Sequence, residues 1–341
     1  MTLPATAPLP VIVTITDPGY ALAVFLLVLS LKRHRVRARI HVLGVRLSDC
    51  QREWFRQFPE VRLFDADLAN PRNPATRKGE AILTAAGTDA EFITLLDGDC
   101  LATGNITPYL SPPEPAFYAR HKAPAEDARM LARHYTPDDE RGTIPRRMLA
   151  IWRQDVGERD TPAISNTVCG GNLTLHRSCL PFIRKWHAQM MNVLPLRDAG
   201  HAYDFDNYAY SQLDESVLNS LLAFAADAPP LRRGLLDQDP LARVAHLGPN
   251  NPRPWQLWRL SKIRHLNPVL DLLDWGARQG YRLPPLPWTF RRRNKPLIWL
   301  AAWGFEAFQA AKSLLRPARV FYLTHWRNRR AELTSPKKSC G

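Results

Sequence analysis

Short apolar segments alternate with helix-like segments along the first hundred residues of the chain. Strands are predicted where aliphatic and β-branched residues run together, at residues 10–16, 39–43, 61–64 and 92–96. Helices are predicted between them, from about residue 20, from 48 to about 57, and over 77–86. Uninterrupted apolar strands are typical of parallel sheets that are covered on both faces. The alternation therefore predicts a doubly wound α/β fold.

The pattern weakens after residue 108 and later recovers. Residues 109–165 are rich in proline and charge, so we expect a long, partly helical excursion that covers an active site. A strand is predicted near residues 172–175, followed by a helix through Trp186. Another helix is predicted over residues 214–224, which begin with two acidic residues.

The positive charge of the chain is concentrated at its end. The formal net charge is +14, and residues 251–341 hold 18 of the 46 Lys and Arg but only 4 of the 32 Asp and Glu. The preceding 250 residues therefore carry no net charge. Such an asymmetry indicates a partner with a negative surface, either an anionic membrane or nucleic acid.

Two features of the sequence favour a cytoplasmic location. The five cysteines are odd in number, widely spaced and without a CxxC pair, which argues against a disulfide framework and against a zinc site. Residues 21–31 are as apolar as a signal core, but no basic residue precedes them and they are too short to span a bilayer. We interpret them as a buried helix.

Asp97-Gly98-Asp99 follows the fourth predicted strand directly. Ligands of open α/β sheets bind at the carboxyl ends of the strands. The spacing of two directs both carboxylates the same way, and Gly98 lets a ligand approach the backbone. Two convergent carboxylates repel each other unless a divalent cation binds them, and such a cation also binds a diphosphate. The motif predicts a metal site, with a solvated acidic turn as the alternative.

Three further motifs accompany this one. Thr16-Asp17-Pro18-Gly19-Tyr20 closes the first strand, and Asp214-Glu215-Ser216-Val217-Leu218-Asn219 opens a helix. His246 is followed by Gly248, Arg253 and Trp255. In their types and order, the four motifs resemble those of glycosyltransferase family 8. That family comprises retaining enzymes of the GT-A fold, including bacterial lipopolysaccharide galactosyl- and glucosyltransferases. The resemblance extends over about residues 10–258.

The resemblance implies a GT-A domain over residues 8–260 and a set of site residues. Asp97, Asp99 and His246 would bind the metal, which is Mn²⁺ or Mg²⁺, and the imidazole favours Mn²⁺. Asp214 and Glu215 would lie at the transferred sugar as catalytic residues. The expected donor-binding residues are Thr16, Asp17, Tyr20, Lys78, Asp97, Gly98, Gly171, Asn172, Gly248 and Arg253. For Lys78, a solvated helix start is the alternative.

This sequence departs from the family pattern at four places, one of which is Ser216 in place of an aspartate. Gly248 follows His246 by two residues instead of three, and Arg253 stands one position later than the family's lysine. Arginine can bind a diphosphate in a forked geometry, but the loop must differ. Glu215 replaces a glutamine. The implied reaction moves a hexose from a UDP-sugar to a cell-surface glycan or a lipid-linked acceptor, with retention.

Residues 261–341 are predicted to form a basic, amphipathic extension. A basic cluster at 291–295 precedes the apolar run 296–305. Beyond it, Glu306, Gln309, Lys312 and Arg316 form a narrow polar stripe, and Trp299, Trp303 and Phe308 lie on a wide apolar face. Basic charge with interfacial aromatics is typical of a helix on an anionic membrane surface, here the inner face of the cytoplasmic membrane. The alternative is that the apolar face packs on the catalytic domain.

Two other functions are compatible with parts of the sequence. A phosphatase of the haloacid dehalogenase type also has an Asp-x-Asp after an apolar strand, but that strand usually opens the domain, whereas here about ninety residues precede it. A non-catalytic protein could bind nucleic acid through the basic end. The chain has no zinc-finger, helix-turn-helix or RNP motif, so nucleic acid is not an expected partner.

Overall fold

The computed structural model of the protein describes residues 8–66, 74–122, 144–193, 209–210, 213–236, 241, 243–248 and 253–334. The chain divides into two compact units. The first comprises Met1–Leu247 and Asp271–Pro285, and the second Gly248–Leu270 and Leu286–Gly341. The boundary near residue 260 that the sequence indicates stays a prediction.

The described residues of the first unit contain nine strands. They are β1 (Val11–Thr16), β2 (Arg39–Gly44), β3 (Val61–Asp65), β4 (Phe92–Leu96), β5 (Cys100–Ala102), β6 (Phe117–His121), β7 (Val168–His176), β8 (Leu231–Arg233) and β9 (Val244–His246). The helices of this unit are α1 (Ala21–Arg33), α2 (Asp49–Arg56), α3 (Lys78–Leu83), α4 (Arg146–Val156), α5 (Leu180–Val193) and α6 (Leu213–Phe224). The residues of α7 (Leu266–Arg278) are divided between the two units. Helix α8 (Lys295–Thr334) belongs to the second.

Seven strands form one sheet in the order β3-β2-β1-β4-β7-β6-β8. Strands β1 to β4 are parallel, β7 runs antiparallel to β4 and β6, and β8 is parallel to β6. From β1 the sheet first extends through β2 to β3. The chain then places β4 on the opposite side of β1, so the carboxyl ends of β1 and β4 are neighbours at a topological switch point. Ligands of open α/β sheets bind at such a point.

The burial of the first elements explains why their positions were predictable. All six residues of β1 and all five of β4 are buried, as the apolar runs indicated. Helix α1 has ten buried residues, which fits an apolar helix covered on nearly all sides and confirms that residues 21–31 form a buried helix. Ser48 caps α2 through a reciprocal capping box with Gln51.

The expectation of a partly helical excursion over residues 109–165 was wrong in part, because this stretch also contributes a strand to the sheet. Strand β6 lies inside the sheet between β7 and β8, and α4 follows later. The strand has five residues, of which only the first three are buried, and proline-rich sequence precedes it. This is too short a run for a clear alternation. Residues 123–143 lie outside the described part of the chain.

The second unit combines a small core with a long helix. Trp258 is fully buried, lies 5.8 Å from the ring of Phe290, and donates its indole N–H to the carbonyl of Thr289 at 3.1 Å. Helix α8 includes the stretch that the sequence predicted as an amphipathic helix. Within the described residues, no helix is both long enough and apolar enough to cross a membrane.

Candidate active site

A two-stranded ribbon brings His246 to the Asp-x-Asp turn. Strand β5 follows Asp99 directly and pairs antiparallel with β9, so that Cys100 lies opposite His246. The N–H of Leu247 donates to the carbonyl of Asp99 at 2.9 Å. Nε2 of His246 therefore lies 2.7 Å from Oδ1 of Asp99 and 3.8 Å from Oδ2 of Asp97. The three residues predicted as metal ligands converge at one place.

The atoms of this cluster fit a divalent cation. Ligand atoms of Asp99, Cys100 and His246 all lie within 4.8 Å of one another. Burial raises the pKa of the Cys100 thiol well above its usual range. The three predicted ligands supply two carboxylates and an imidazole. Burial acts to raise the pKa of Asp99, but the hydrogen bond with His246, the charges of His246 and Lys78 and a backbone hydrogen bond together lower it below its usual range. Oxygen and imidazole ligands suit Mn²⁺ and Mg²⁺.

Lys78 joins Asp97 to Asp214. Its Nζ lies 2.8 Å from Oδ1 of Asp97, 2.8 Å from Oδ2 of Asp214 and 3.0 Å from the carbonyl of Gly170. The alternative of a solvated helix start is wrong, because Lys78 is buried at the start of α3. Burial acts to lower its pKa, but the charges of Asp214 and Asp97 raise it well above its usual range. Its three N–H groups thus have three acceptors, two of them charged.

A second buried ion pair holds Glu215. This residue lies in the first turn of α6, and its Oε1 contacts Nζ of Lys122, which directly follows β6. Its Oε2 accepts from the N–H of Gly170 at 3.1 Å. Burial raises the pKa of Glu215, and the charge of Lys122 opposes that shift. The carboxylate is fixed between a backbone donor and an ammonium group.

Strand β7 passes close beneath the Asp-x-Asp turn. The N–H of Asp97 donates to the carbonyl of Gly171 at 3.0 Å, and a Cβ at Gly171 would lie 2.4 Å from Oδ2 of Asp97. Asn172, the next residue, accepts from the Cys100 thiol at 3.4 Å. A Cβ at Gly98 would lie 2.9 Å from the carbonyl of Ile15 in β1. The three predicted residues Gly98, Gly171 and Asn172 therefore lie around the acidic pair.

The residues after β1 form a turn at the same edge of the sheet. Oδ1 of Asp17 accepts from the N–H of Tyr20 at 2.8 Å, and the hydroxyl of Thr16 donates to the Asp17 carbonyl at 3.2 Å. Gly248 and Arg253 belong to the second unit, where the Arg253 guanidinium lies 5.8 Å from the ring centroid of Trp255. Their diphosphate role stays a prediction, as does donor binding by the other residues.

Sequence reasoning missed Lys122 and Cys100. Strand β6 runs in the same direction as β4, so Lys122 at its end lies at the same sheet edge as Asp97. A charged residue directly after a buried strand was the signal that identified Asp97, but β6 itself was not predicted. Cys100 was considered only as a thiol without a CxxC partner, although it adjoins Asp99 in sequence. Asp204 and Asp206, which lie among tyrosines in the sequence, are further candidates for contact with an acceptor sugar, with a tyrosine-rich surface loop as the alternative. Both lie outside the described residues.

Comparisons with known proteins found similarity in structure only. No protein-family model and no curated protein matches the chain. The apo structure of the bifunctional glycosyltransferase WbbM matches at 14% identity and a TM-score of 0.51, over 85% of this chain and 52% of that one. GlyE, a glycosyltransferase of Streptococcus pneumoniae TIGR4, matches at 15% identity with a TM-score of 0.47, over 82% of this chain and 65% of that one.

The galactosyltransferase LgtC, solved with donor and acceptor sugar analogs, matches at 14% identity and a TM-score of 0.44. The match covers 82% of this chain and 97% of LgtC. This chain thus spans less than two thirds of GlyE and about half of WbbM. The likeness to WbbM, together with the mixed seven-stranded sheet, confirms the predicted GT-A fold class.

Proposed function

We propose that this chain is a metal-dependent glycosyltransferase that transfers a hexose from a UDP-sugar. The observation that carries the proposal is the convergence of Asp97, Asp99 and His246 at the switch point of a GT-A sheet. A divalent cation bound there would stabilise the negative charge that develops on a departing nucleoside diphosphate. The four motifs in family 8 order favour a retaining enzyme of that family. The imidazole of His246 favours Mn²⁺ over Mg²⁺ as the bound cation.

Asp214 and Glu215 are proposed to act on the donor sugar. They lie side by side in the first turn of α6, next to Gly170 of β7. A carboxylate that is held in place near an anomeric carbon stabilises the positive charge that develops there during transfer. Glu215 is held by Lys122 and the Gly170 N–H, so its carboxylate does not have to reorganise. Lys78 fixes the carboxylate of Asp214.

The acceptor is proposed to be a hydroxyl of a cell-surface glycan or a lipid-linked precursor. The resemblance to the family of lipopolysaccharide transferases supports this class of acceptor. The basic, apolar character of the second unit favours a substrate at a membrane surface.

The first test measures hydrolysis of a panel of nucleotide sugars without acceptor, in Mn²⁺, Mg²⁺ or EDTA. We expect release of UDP and free sugar from one UDP-hexose, highest with Mn²⁺ and abolished by EDTA. Asp97→Ala, Asp99→Ala and His246→Ala should each lower the rate by about a hundredfold or more, because each removes a main source of charge stabilisation. Thermal unfolding of every variant establishes that it is folded.

Asp160→Ala is the matched control, since Asp160 is an exposed aspartate whose partner is Arg153. It should hydrolyse the donor at the wild-type rate. Full activity in EDTA would end the proposal of metal dependence. Release of phosphate from a simple phosphomonoester, without turnover of any nucleotide sugar, would instead favour the phosphatase.

A further inference from the structure

Helix α8 presents an apolar surface to solvent. Between residues 296 and 311, every exposed position is apolar or glycine. Five large side chains of this surface are between 40% and 70% exposed: Leu297, Trp299, Leu300, Trp303 and Phe308. With about 3.6 residues per turn, these positions fall on one half of the helix circumference, and the fully buried Ile298 and Ala302 lie on the other half. We call these five residues the apolar face.

The opposite side of α8 contains the polar residues. Glu306 is half-buried and pairs with Arg259 of the same unit at 3.1 Å. Gln309 is likewise only partly exposed, while Ile298 and Ala302 are fully buried. A surface helix of a water-soluble protein turns its apolar stripe inward and its polar side outward. Along these residues α8 has the reverse arrangement. An exposed apolar surface of this kind marks a site of interaction with a membrane or another molecule.

Positive charge lies at the start of this helix. Arg291, Arg292 and Arg293 are exposed and immediately precede α8. A second copy of the chain would bring equal positive charge against them, and nucleic acid would leave five large apolar side chains in water. An anionic lipid surface satisfies both features, since its headgroups attract arginine and its acyl region accepts leucine, tryptophan and phenylalanine.

We propose that the apolar face of α8 inserts into the interfacial region of an anionic bilayer, with the helix lying in the plane of the membrane and Arg291–Arg293 at the headgroups. Tryptophan is favoured at this depth because its ring is amphipathic. Burial of the apolar face provides most of the free energy of membrane binding, and the arginines give the preference for anionic lipid. This inference does not depend on the identity of the donor sugar or on the metal.

The test is co-sedimentation of the full chain with vesicles of phosphatidylcholine alone or with about one third phosphatidylglycerol. The wild-type chain should bind the anionic vesicles, and high salt should weaken the binding. Leu300→Ser with Trp303→Ser should lower the affinity at least about tenfold, because both side chains leave water on insertion. Arg292→Gln with Arg293→Gln should lower it by about fivefold per charge.

Leu241→Ser is the control, since Leu241 is an equally exposed leucine of the first unit. It should bind vesicles like the wild-type chain, and all variants should keep wild-type donor hydrolysis. Unchanged vesicle binding by the Leu300→Ser, Trp303→Ser variant would overturn the proposal. So would a concentration-dependent dimer in sedimentation velocity that this variant abolishes, together with absence of vesicle binding, because that result assigns the face to a second copy.

Discussion

At the scale of single residues, two buried lysines compensate the acidic side chains of the candidate site. Lys78 neutralises Asp97 and Asp214, and Lys122 neutralises Glu215. A buried charge that loses its partner destabilises the folded state more than the pair stabilises it. Removing Glu215, the carboxylate paired with Lys122, therefore lowers stability even if Glu215 has no part in catalysis. The two effects separate only when both members of a pair are changed together.

The pair of Lys122 and Glu215 allows such a separation. Glu215→Gln should destabilise the protein by about 3 kcal/mol, because it leaves Lys122 buried and unpaired. Lys122→Met combined with Glu215→Gln removes both charges at similar volume and should restore most of that stability. If the Glu215 carboxylate acts in the transition state, kcat should be at least about tenfold below the wild-type value in both variants, and the donor KM should change less than kcat.

Urea unfolding and steady-state donor hydrolysis measure the two quantities. Recovery of both stability and kcat in the double variant would show that Glu215 acts only as a structural partner of Lys122. An increase in KM at constant kcat would assign it to donor binding instead.

The ease of predicting a site residue depended on how local its signal is. Asp97 and Asp99 follow an apolar strand directly, so their place at the sheet edge follows from the sequence around them. His246 required three other motifs in order, since a single histidine has no such signal. Lys122 could not be predicted, because its pairing with Glu215 depends on a strand order that brings residues 93 positions apart together. The roles of Gly248 and Arg253 stay predictions.

At the scale of elements, the antiparallel strand β7 determines the position of the Asp97 carboxylate. The hydrogen bond from Asp97 to Gly171 continues the β4–β7 ladder past the end of β4. At this point the carboxylate lies where a Cβ of residue 171 would be. Only a glycine lets the strand and the acidic side chain occupy these positions together.

Gly171→Ala should therefore damage catalysis more than folding. The added Cβ would contact a movable carboxylate oxygen, so the clash can be relieved by turning Asp97 away from His246. We expect the rate of donor hydrolysis to fall at least about tenfold, because the proposed metal ligand Asp97 is displaced. The melting temperature should change by only a few degrees.

Gly170→Ala is the matched control on the same strand. The nearest atom to its added Cβ would be Cα of Glu215 at 3.4 Å, which is an ordinary contact. This variant should keep most of its activity. If Gly171→Ala is as active as Gly170→Ala, the close approach of β7 has no role in holding Asp97.

The elements that the sequence predicted well are those with long apolar runs. Strands β1 and β4 were found because they are uninterrupted apolar or β-branched runs. Strands β2 and β3, with the helices around them, were found because three of the four residues at 40–43 and at 61–64 are apolar. Strands β5, β8 and β9 have three residues each, which is too few to show a period. The helix in the second unit was predicted from its 3.6-residue pattern, but the pattern alone could not show which side faces water.

At the scale of the whole molecule, the two units differ in charge. The first 250 residues carry equal numbers of acidic and basic residues, so attraction of a negatively charged donor has to arise from individual groups near the site. The last 91 residues carry all of the net positive charge, and the exposed apolar face lies among them. The two proposals, a catalytic role for the first unit and attachment of the second to an anionic membrane, fit this division of charge.

The stability of the first unit should depend on pH through His41. This residue of β2 is buried, with its ring 4.8 Å from that of Phe64 and its Nδ1 3.2 Å from the Thr84 hydroxyl. Burial, and then the charges of Arg62 and Arg39, lower its pKa to about 4, against about 6.5 in the unfolded chain. Between these values only the unfolded state is protonated, so stability is complete above pH 6.5 and falls as the pH drops toward 4.

His41→Asn should remove this dependence. Urea unfolding measures the free energy of unfolding of both proteins at pH 7.5 and pH 5. Between these values it should fall by about 2 kcal/mol more for the wild-type protein than for the variant, whatever the difference between the two proteins at pH 7.5. Asp97 and Glu215, whose pKa values are raised mainly by burial, act in the opposite direction, but they are present in both proteins and cancel in the comparison. Thr84→Ala keeps the imidazole of His41. This variant should therefore show the wild-type pH dependence of the free energy of unfolding, with a lower value at every pH. Parallel pH profiles for the wild-type protein and His41→Asn would show that His41 is protonated as readily in the folded protein as in the unfolded chain.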